Sequence, residues 1–313
     1  MLEVELDIFS GMPNPKWILS EQEEKELLDR LLAEPEQISP VYSPDEVLGL
    51  GYCGLIVREI KTDERVWTRV NRSLKNSFPQ EFRIGSKPAR HVSVEEWLLK
   101  TSEKKGSRVT DELREVAANG VRLITPLGED ANLNTEGKKD KGDQEGRSVN
   151  IPWQLCNDNH FDPNIELFNM SQYVGLNNCY CFASNHLANR RYARPGLKGG
   201  RPAREMTCGE VIAGLKADGW KETVCAQNTL TIACVVWPGN DYHFYRLVSG
   251  EPGYMWGHKR GGTPARYTDE CGRAIVKKAF FLEPDLDPTN ICREDYTHFC
   301  GFFYQDNTTA FVQ

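Results

Sequence analysis

The chain has 313 residues, of which 39% are hydrophobic, 27% charged and 10% aromatic, a composition of globular proteins that excludes disordered and fibrous classes. No apolar run approaches the roughly 18 to 20 residues of a membrane helix, and a net charge of −7 argues against nucleic acid as the main partner. At about 150 residues per domain the length suits two domains or one large one, with the oligomeric state left open.

Leu2-Glu-Val-Glu-Leu-Asp-Ile-Phe9 alternates apolar and acidic residues at period two, which predicts a strand with one buried face. The same opening residues lack the basic and apolar regions of a secretory signal, leaving a cytoplasmic chain or one exported by a non-classical route. Ser10-Gly-Met-Pro-Asn-Pro15 is a turn cluster. Ser20 then caps a helix with Glu21, Glu23 and Glu24 in its first turn and Leu27, Leu28, Leu31 and Leu32 at helical spacing. A second strand over 52–60 and helices over 93–104 and 109–118 complete a small α+β module at 1–127, read as an accessory domain because no chemical group stands out in it. Residues 128–149 carry almost no apolar side chains and repeat Gly, Asp and Lys, the pattern of a flexible linker or loop.

The remainder, 150–313, is built differently. It holds nine of the ten cysteines. It begins with the helix-compatible Asn178-Cys-Tyr-Cys-Phe-Ala-Ser-Asn-His-Leu-Ala-Asn-Arg190, for which Asn178 is an N-cap, followed by a basic, glycine-rich loop, Arg194-Pro-Gly-Leu-Lys-Gly-Gly-Arg-Pro202. Thr207-Cys-Gly-Glu210 is a capping box for a helix that Gly219 ends. Strand patterns then follow at 229–237, 242–248, 254–259 and 299–304, an antiparallel sheet after a helix.

A thiol at a helix N-terminus is the position at which unpaired N–H groups favour the thiolate, and Cys179 stands there. Such a nucleophile needs an imidazole in reach and a polar group to orient it. Alternation places His243, Tyr245 and Leu247 on one face of their strand, and a hairpin around 249–253 brings His258 to the same end of the sheet. Trp237, Tyr245 and Trp256, with Tyr254, are candidate walls of a substrate cleft, and Lys259 and Arg260 candidate partners of a substrate carboxylate. No Cys-x-x-Cys, His-Glu-x-x-His, G-x-G-x-x-G or phosphate loop occurs, so neither metal nor cofactor is expected.

The order of helix-borne cysteine, strand-borne histidine and a second polar residue on the next strand resembles the papain-like superfamily in its minimal form, the NlpC-type cell-wall peptidases and CHAP amidases. Asn178-Cys-Tyr-Cys-Phe-Ala183 looks like the start of a CHAP helix. The resemblance covers roughly 150–305 and implies a papain-like helix-then-sheet domain that cleaves an amide bond in a peptide or peptidoglycan-type substrate. It implies Cys179 as nucleophile, His243 as base and His258 as orienting group, and oxyanion support from Asn178 is expected beside them. The chain also resembles a group of sequences that combine Asn-Asn-Cys-Tyr with Val-Val-Trp-Pro-Gly-x-Asp-x-His-x-Tyr-Arg and Trp-x-His-Lys-x-Gly-x-Thr-Pro. The alternative is a non-catalytic, cysteine-rich binding or toxin-like domain whose thiols are paired.

Overall fold

A computed structural model of the protein describes residues 1–41, 50–60, 78–85, 93–103, 106–124, 155–162, 165–249, 253–278 and 286–313. The expected linker at 128–149 lies outside the described residues. The fold is α+β with antiparallel sheets, and the chain divides into two compact units: Met1–Ile8 with Asn14–Asn134, and Phe9–Pro13 with Thr135–Gln313. Among the described residues no helix is long and apolar enough to cross a membrane, and no group of three or more His, Cys, Asp or Glu is placed to hold a metal ion.

The first unit is a five-stranded sheet in the order β2-β1-β4-β5-β3, formed by β1 (Leu2–Leu6), β2 (Lys16–Ile18), β3 (Ile38–Ser39), β4 (Leu55–Glu59) and β5 (Glu81–Ile84). Among the described residues its α-helices are α1 (Glu21–Ala33), α2 (Ser93–Thr101) and α3 (Asp111–Ile124). The Ser20–Glu23 capping box forms as its sequence predicts and satisfies two otherwise orphaned N–H groups. Leu27 and Leu31 of α1 are buried with Val4, Leu55, Val57 and Ile84 of the strands. The buried Arg83 donates to the Asp7 carboxylate at 2.7 Å and to the carbonyls of Cys53 and Val41, so its charge is paired rather than stranded.

The second unit is an antiparallel sheet in the order β10-β8-β7-β6-β11, with β9 paired to β8. Its strands are β6 (Thr229–Trp237), β7 (Asp241–Ser249), β8 (Gly253–Lys259), β9 (Ala265–Arg266), β10 (Val276–Lys278) and β11 (His298–Asp306). Helices α4 (Glu166–Asn169), α5 (Cys179–Ala183) and α6 (Cys208–Ala217) precede the sheet. The pleat sorts the strand residues into two sets. Leu230, Ile232, Cys234 and Val236 of β6 and Tyr242, Phe244 and Val248 of β7 pack with all five residues of α5 and with Val211 and Leu215 of α6. His243, Tyr245 and Leu247 point to the opposite face.

Helix α5 is shorter than the thirteen-residue stretch its sequence allows. Asn185 takes a left-handed φ of 50°, and the His186 N–H closes back on the Cys181 carbonyl at 3.0 Å, a C-cap that ends the helix after a single turn and leaves it with little macrodipole. Three disulfides staple this unit: Cys156–Cys225, Cys208–Cys300 and Cys271–Cys292. Cys53, Cys179, Cys181 and Cys234 are buried free thiols.

A buried serine–histidine–histidine network

Residues 9–13 carry the turn cluster that the sequence leaves without a role, and in the second unit they meet the start of β7. Four donors converge on the Asp241 carboxylate: the N–H groups of Ser10 (2.5 Å), Gly11 (3.1 Å) and Met12 (2.7 Å), and the Tyr296 hydroxyl (2.5 Å). Gly11 is required there, since a Cβ would stand 2.4 Å from the Tyr242 ring. Asp241 is fully buried, and burial pushes its carboxyl up to about 6 against the opposing pull of these hydrogen bonds.

Two residues further along β7, His243 Nδ1 lies 2.5 Å from Ser10 Oγ, and its Nε2 lies 2.8 Å from His258 Nδ1. His258 Nε2 in turn lies 2.8 Å from the Thr268 carbonyl. Two partners meet His258 Nε2, the Thr268 carbonyl, which only accepts, and the Arg266 Nε–H, which only donates, so the proton order along Ser10, His243 and His258 is set by which of the two the ring answers. The Arg266 guanidinium, whose Nε is 3.1 Å from His258 Nε2, presents a positive charge to the same ring while pairing with Glu270. Burial, then the neighbouring cationic groups, hold both imidazoles well below the ordinary value of 6.5, so both are neutral at pH 7.

Cys179 meets this line at the Ser10 hydroxyl and not at an imidazole. Both ring nitrogens of His243 are taken by Ser10 and His258. The thiol lies among Tyr242, Phe244 and Cys234 on the α5 face of the sheet, its Sγ 3.9 Å from the Tyr242 carbonyl. Burial, and then the Asp241 carboxylate, drive its pKa far up, opposed by the Ser10 hydroxyl. A one-turn helix cannot offset that desolvation, so Cys179 is a neutral thiol. The two histidines, expected together from strand alternation and hairpin pairing, do meet, and Cys179 reaches them through the Ser10 hydroxyl rather than directly.

The remaining expected site residues are interior. Asn178 caps α5 by accepting from Cys181 N at 3.2 Å, and its amide donates to the carbonyls of Ala193 at 2.8 Å and Gly11 at 3.4 Å, which leaves no N–H for an oxyanion. In place of cleft walls, Trp237 (5% exposed), Tyr245 (0%) and Trp256 (0%) are packed, against Phe9 and Tyr296, against the two imidazoles, and against Phe302 respectively. Lys259, expected to meet a substrate carboxylate, is buried and donates to the carbonyls of Val174 (2.7 Å), Asn177 (2.6 Å) and Gly261 (2.7 Å). It thereby fixes the approach to α5, while burial lowers its pKa to about 7. Arg260 is buried as well.

Sequence reasoning missed Ser10, Asp241, Tyr296 and Thr268. The Ser10-Gly-Met-Pro cluster reads only as a turn, and nothing local links it to a histidine 233 positions away. Asp241 stands two residues before His243 on the same strand face, the one signal that was available.

The network makes the second unit acid-sensitive with a defined sign. The folded histidines take up protons only well below 6.5, the unfolded ones at about 6.5, so the unfolded state binds more protons below that pH and stability falls as pH drops. Asp241 acts in the opposite sense between 3.8 and about 6, where the folded state holds the extra proton. Urea unfolding between pH 7 and pH 5 is therefore expected to show a midpoint that falls with acidity, at up to about 1.4 kcal/mol per pH unit for each histidine. In His243→Gln/His258→Gln that dependence flattens; an unchanged slope in the double variant would contradict this assignment.

Fold and site together define a disulfide-stapled antiparallel α+β unit closed over a neutral polar network. The chain belongs to the same family as insoluble matrix shell protein 1 of Ruditapes philippinarum, to which it is 40% identical over 139 residues, 44% of this chain and 84% of that protein. No family model matches the chain, and no solved structure matches it.

Proposed function

We propose that this chain is an extracellular, disulfide-bonded protein of matrix type, in which the second unit serves structure and binding rather than thiol hydrolysis. The observation that carries this reading is the set of three disulfides, which persist in oxidising compartments and are rare in reducing ones. The relative's name, insoluble matrix shell protein 1, agrees with it. So does the sealed Cys179, since a reactive thiol is exposed and thiolate-like and this one is neither. Counting thiols by alkylation and mass spectrometry tests the reading. Without reductant the native protein is expected to label at no cysteine, the denatured protein at four and the reduced denatured protein at all ten. Ten labelled cysteines without reductant would overturn it.

A second reading, a papain-like amide hydrolase, is supported by α5 lying against β7 and β8 and by the His243–His258 pair. A specific observation alters its nucleophile: the hydroxyl that lies 2.5 Å from His243 Nδ1 is that of Ser10, so a base-and-orienter pair would activate Ser10 in preference to Cys179. A small fluorophosphonate probe separates the cases. Modification confined to Ser10 and lost in His243→Gln supports a serine hydrolase. Native alkylation of Cys179 supports the thiol enzyme, and neither label leaves the structural role.

A further inference from the structure

We infer that the basic loop from Arg190 to Arg204 is a binding site for an anionic polysaccharide bearing sulfate or carboxylate groups. This deepens the matrix reading, on which it rests, by naming a partner. In a chain of net charge −7, these fifteen residues hold six cations, Arg190, Arg191, Arg194, Lys198, Arg201 and Arg204, and no acid. They supply six of the sixteen Lys and Arg residues after position 150. Such a concentration against an acidic background focuses positive potential on one place.

The loop is built to hold its shape. Its neck is closed by Arg201 N on the Gly196 carbonyl at 2.8 Å and by Ala203 N on the Pro195 carbonyl at 3.0 Å. The Asp218 carboxylate accepts from Gly196 N at 2.6 Å and Gly199 N at 2.8 Å, which ties the loop to the end of α6. Gly196 has a φ of 85°, and a Cβ there would stand 1.8 Å from the Arg201 carbonyl, so the turn admits only glycine. Arg194 and Arg204 each adjoin one end of the closed neck, and Arg190, Lys198, Arg201 and Arg204 are exposed. Arg201 is paired with Glu210 at 2.9 Å, whereas Arg190 and Arg204 form no ion pair among the described residues. With the backbone already held, binding an oxyanion orders the arginine side chains alone, and the guanidinium fork suits planar or tetrahedral oxyanions.

Aromatic rings at the same place favour a sugar chain over a bare polyanion. Tyr192 is 37% exposed under the Arg191 guanidinium, and Phe311 is 50% exposed with the Lys198 ammonium 5.3 Å from its centroid. Exposed rings offer apolar surface to the C–H face of a pyranose while the neighbouring cations meet its acidic substituents.

The test measures binding of the full chain to an immobilised heparin-derived octasaccharide, with an uncharged dextran oligosaccharide, polyglutamate and duplex DNA as comparison probes. Salt-sensitive binding to the sulfated saccharide and none to dextran is expected. Arg190→Gln/Arg201→Gln/Arg204→Gln should weaken it at least tenfold with an unchanged unfolding midpoint, while Lys216→Gln/Lys221→Gln leaves it unaltered. Phe311→Ser should weaken it several-fold without changing the salt dependence. No binding, equal binding by the triple variant, or tighter binding to polyglutamate or DNA at matched charge would overturn the proposal. Because thiol counting is independent of this measurement, a disulfide-bonded protein that ignores the saccharide refutes the partner and leaves the matrix reading standing.

Discussion

Asp241→Ala is expected to destabilise the second unit by about 4 kcal/mol or more, because it leaves buried donors unpaired at roughly 1 to 3 kcal/mol each. The donors are the Ser10, Gly11 and Met12 N–H groups and the Tyr296 hydroxyl, all of which converge on one fully buried carboxylate. Asp241→Asn separates hydrogen bonding from charge. Its amide oxygen still accepts while its NH2 faces other donors, so an intermediate loss is expected, together with disappearance of the proton uptake between 3.8 and about 6 that the carboxyl contributes. Chemical denaturation of both variants across that pH range provides the check. A loss below about 1 kcal/mol in Asp241→Ala would mean that water or a rearranged segment 9–13 satisfies the donors, and the network would then not hold that segment.

The second large effect concerns the Cys208–Cys300 disulfide, which joins the first turn of α6 to β11 across 92 residues. In the chain-entropy account, opening a loop of that length costs about 4 to 5 kcal/mol, against about 3 for the 21-residue separation of Cys271–Cys292. Cys208→Ser/Cys300→Ser is accordingly expected to lower the unfolding midpoint further than Cys271→Ser/Cys292→Ser. The first bridge also lies at the core, since Cys300 is buried beside α6 and β6 and a serine hydroxyl there adds desolvation to the entropy lost. Equal or reversed midpoints, measured without reductant, would show that native-state packing rather than loop closure sets the contribution of these bridges.

The sequence by itself determined the local elements of this protein. The Ser20–Glu23 box, the Thr207 cap and the glycine at 219 marked helix ends because capping is a matter of residues within one turn of each other. Strand alternation correctly sorted His243, Tyr245 and Leu247 from Tyr242, Phe244 and Arg246, and hairpin pairing put His258 near His243, since both follow from the two-residue period of a pleat. What no local rule carries was decided by tertiary structure: which face of the sheet α5 covers, and therefore that Cys179 meets Tyr242 and Phe244 while the histidines turn away from it. The same holds for Ser10, which reaches His243 only because a five-residue turn packs into the second unit. Burial acts in the same way: at Cys179 desolvation outweighs anything the start of a one-turn helix supplies, and at Lys259 it meets three backbone carbonyls instead of a substrate. Cysteine pairing was equally out of reach, because the nine cysteines after position 150 permit many pairings, and only the approach of Cα atoms to 5.2–5.8 Å selects three bridges.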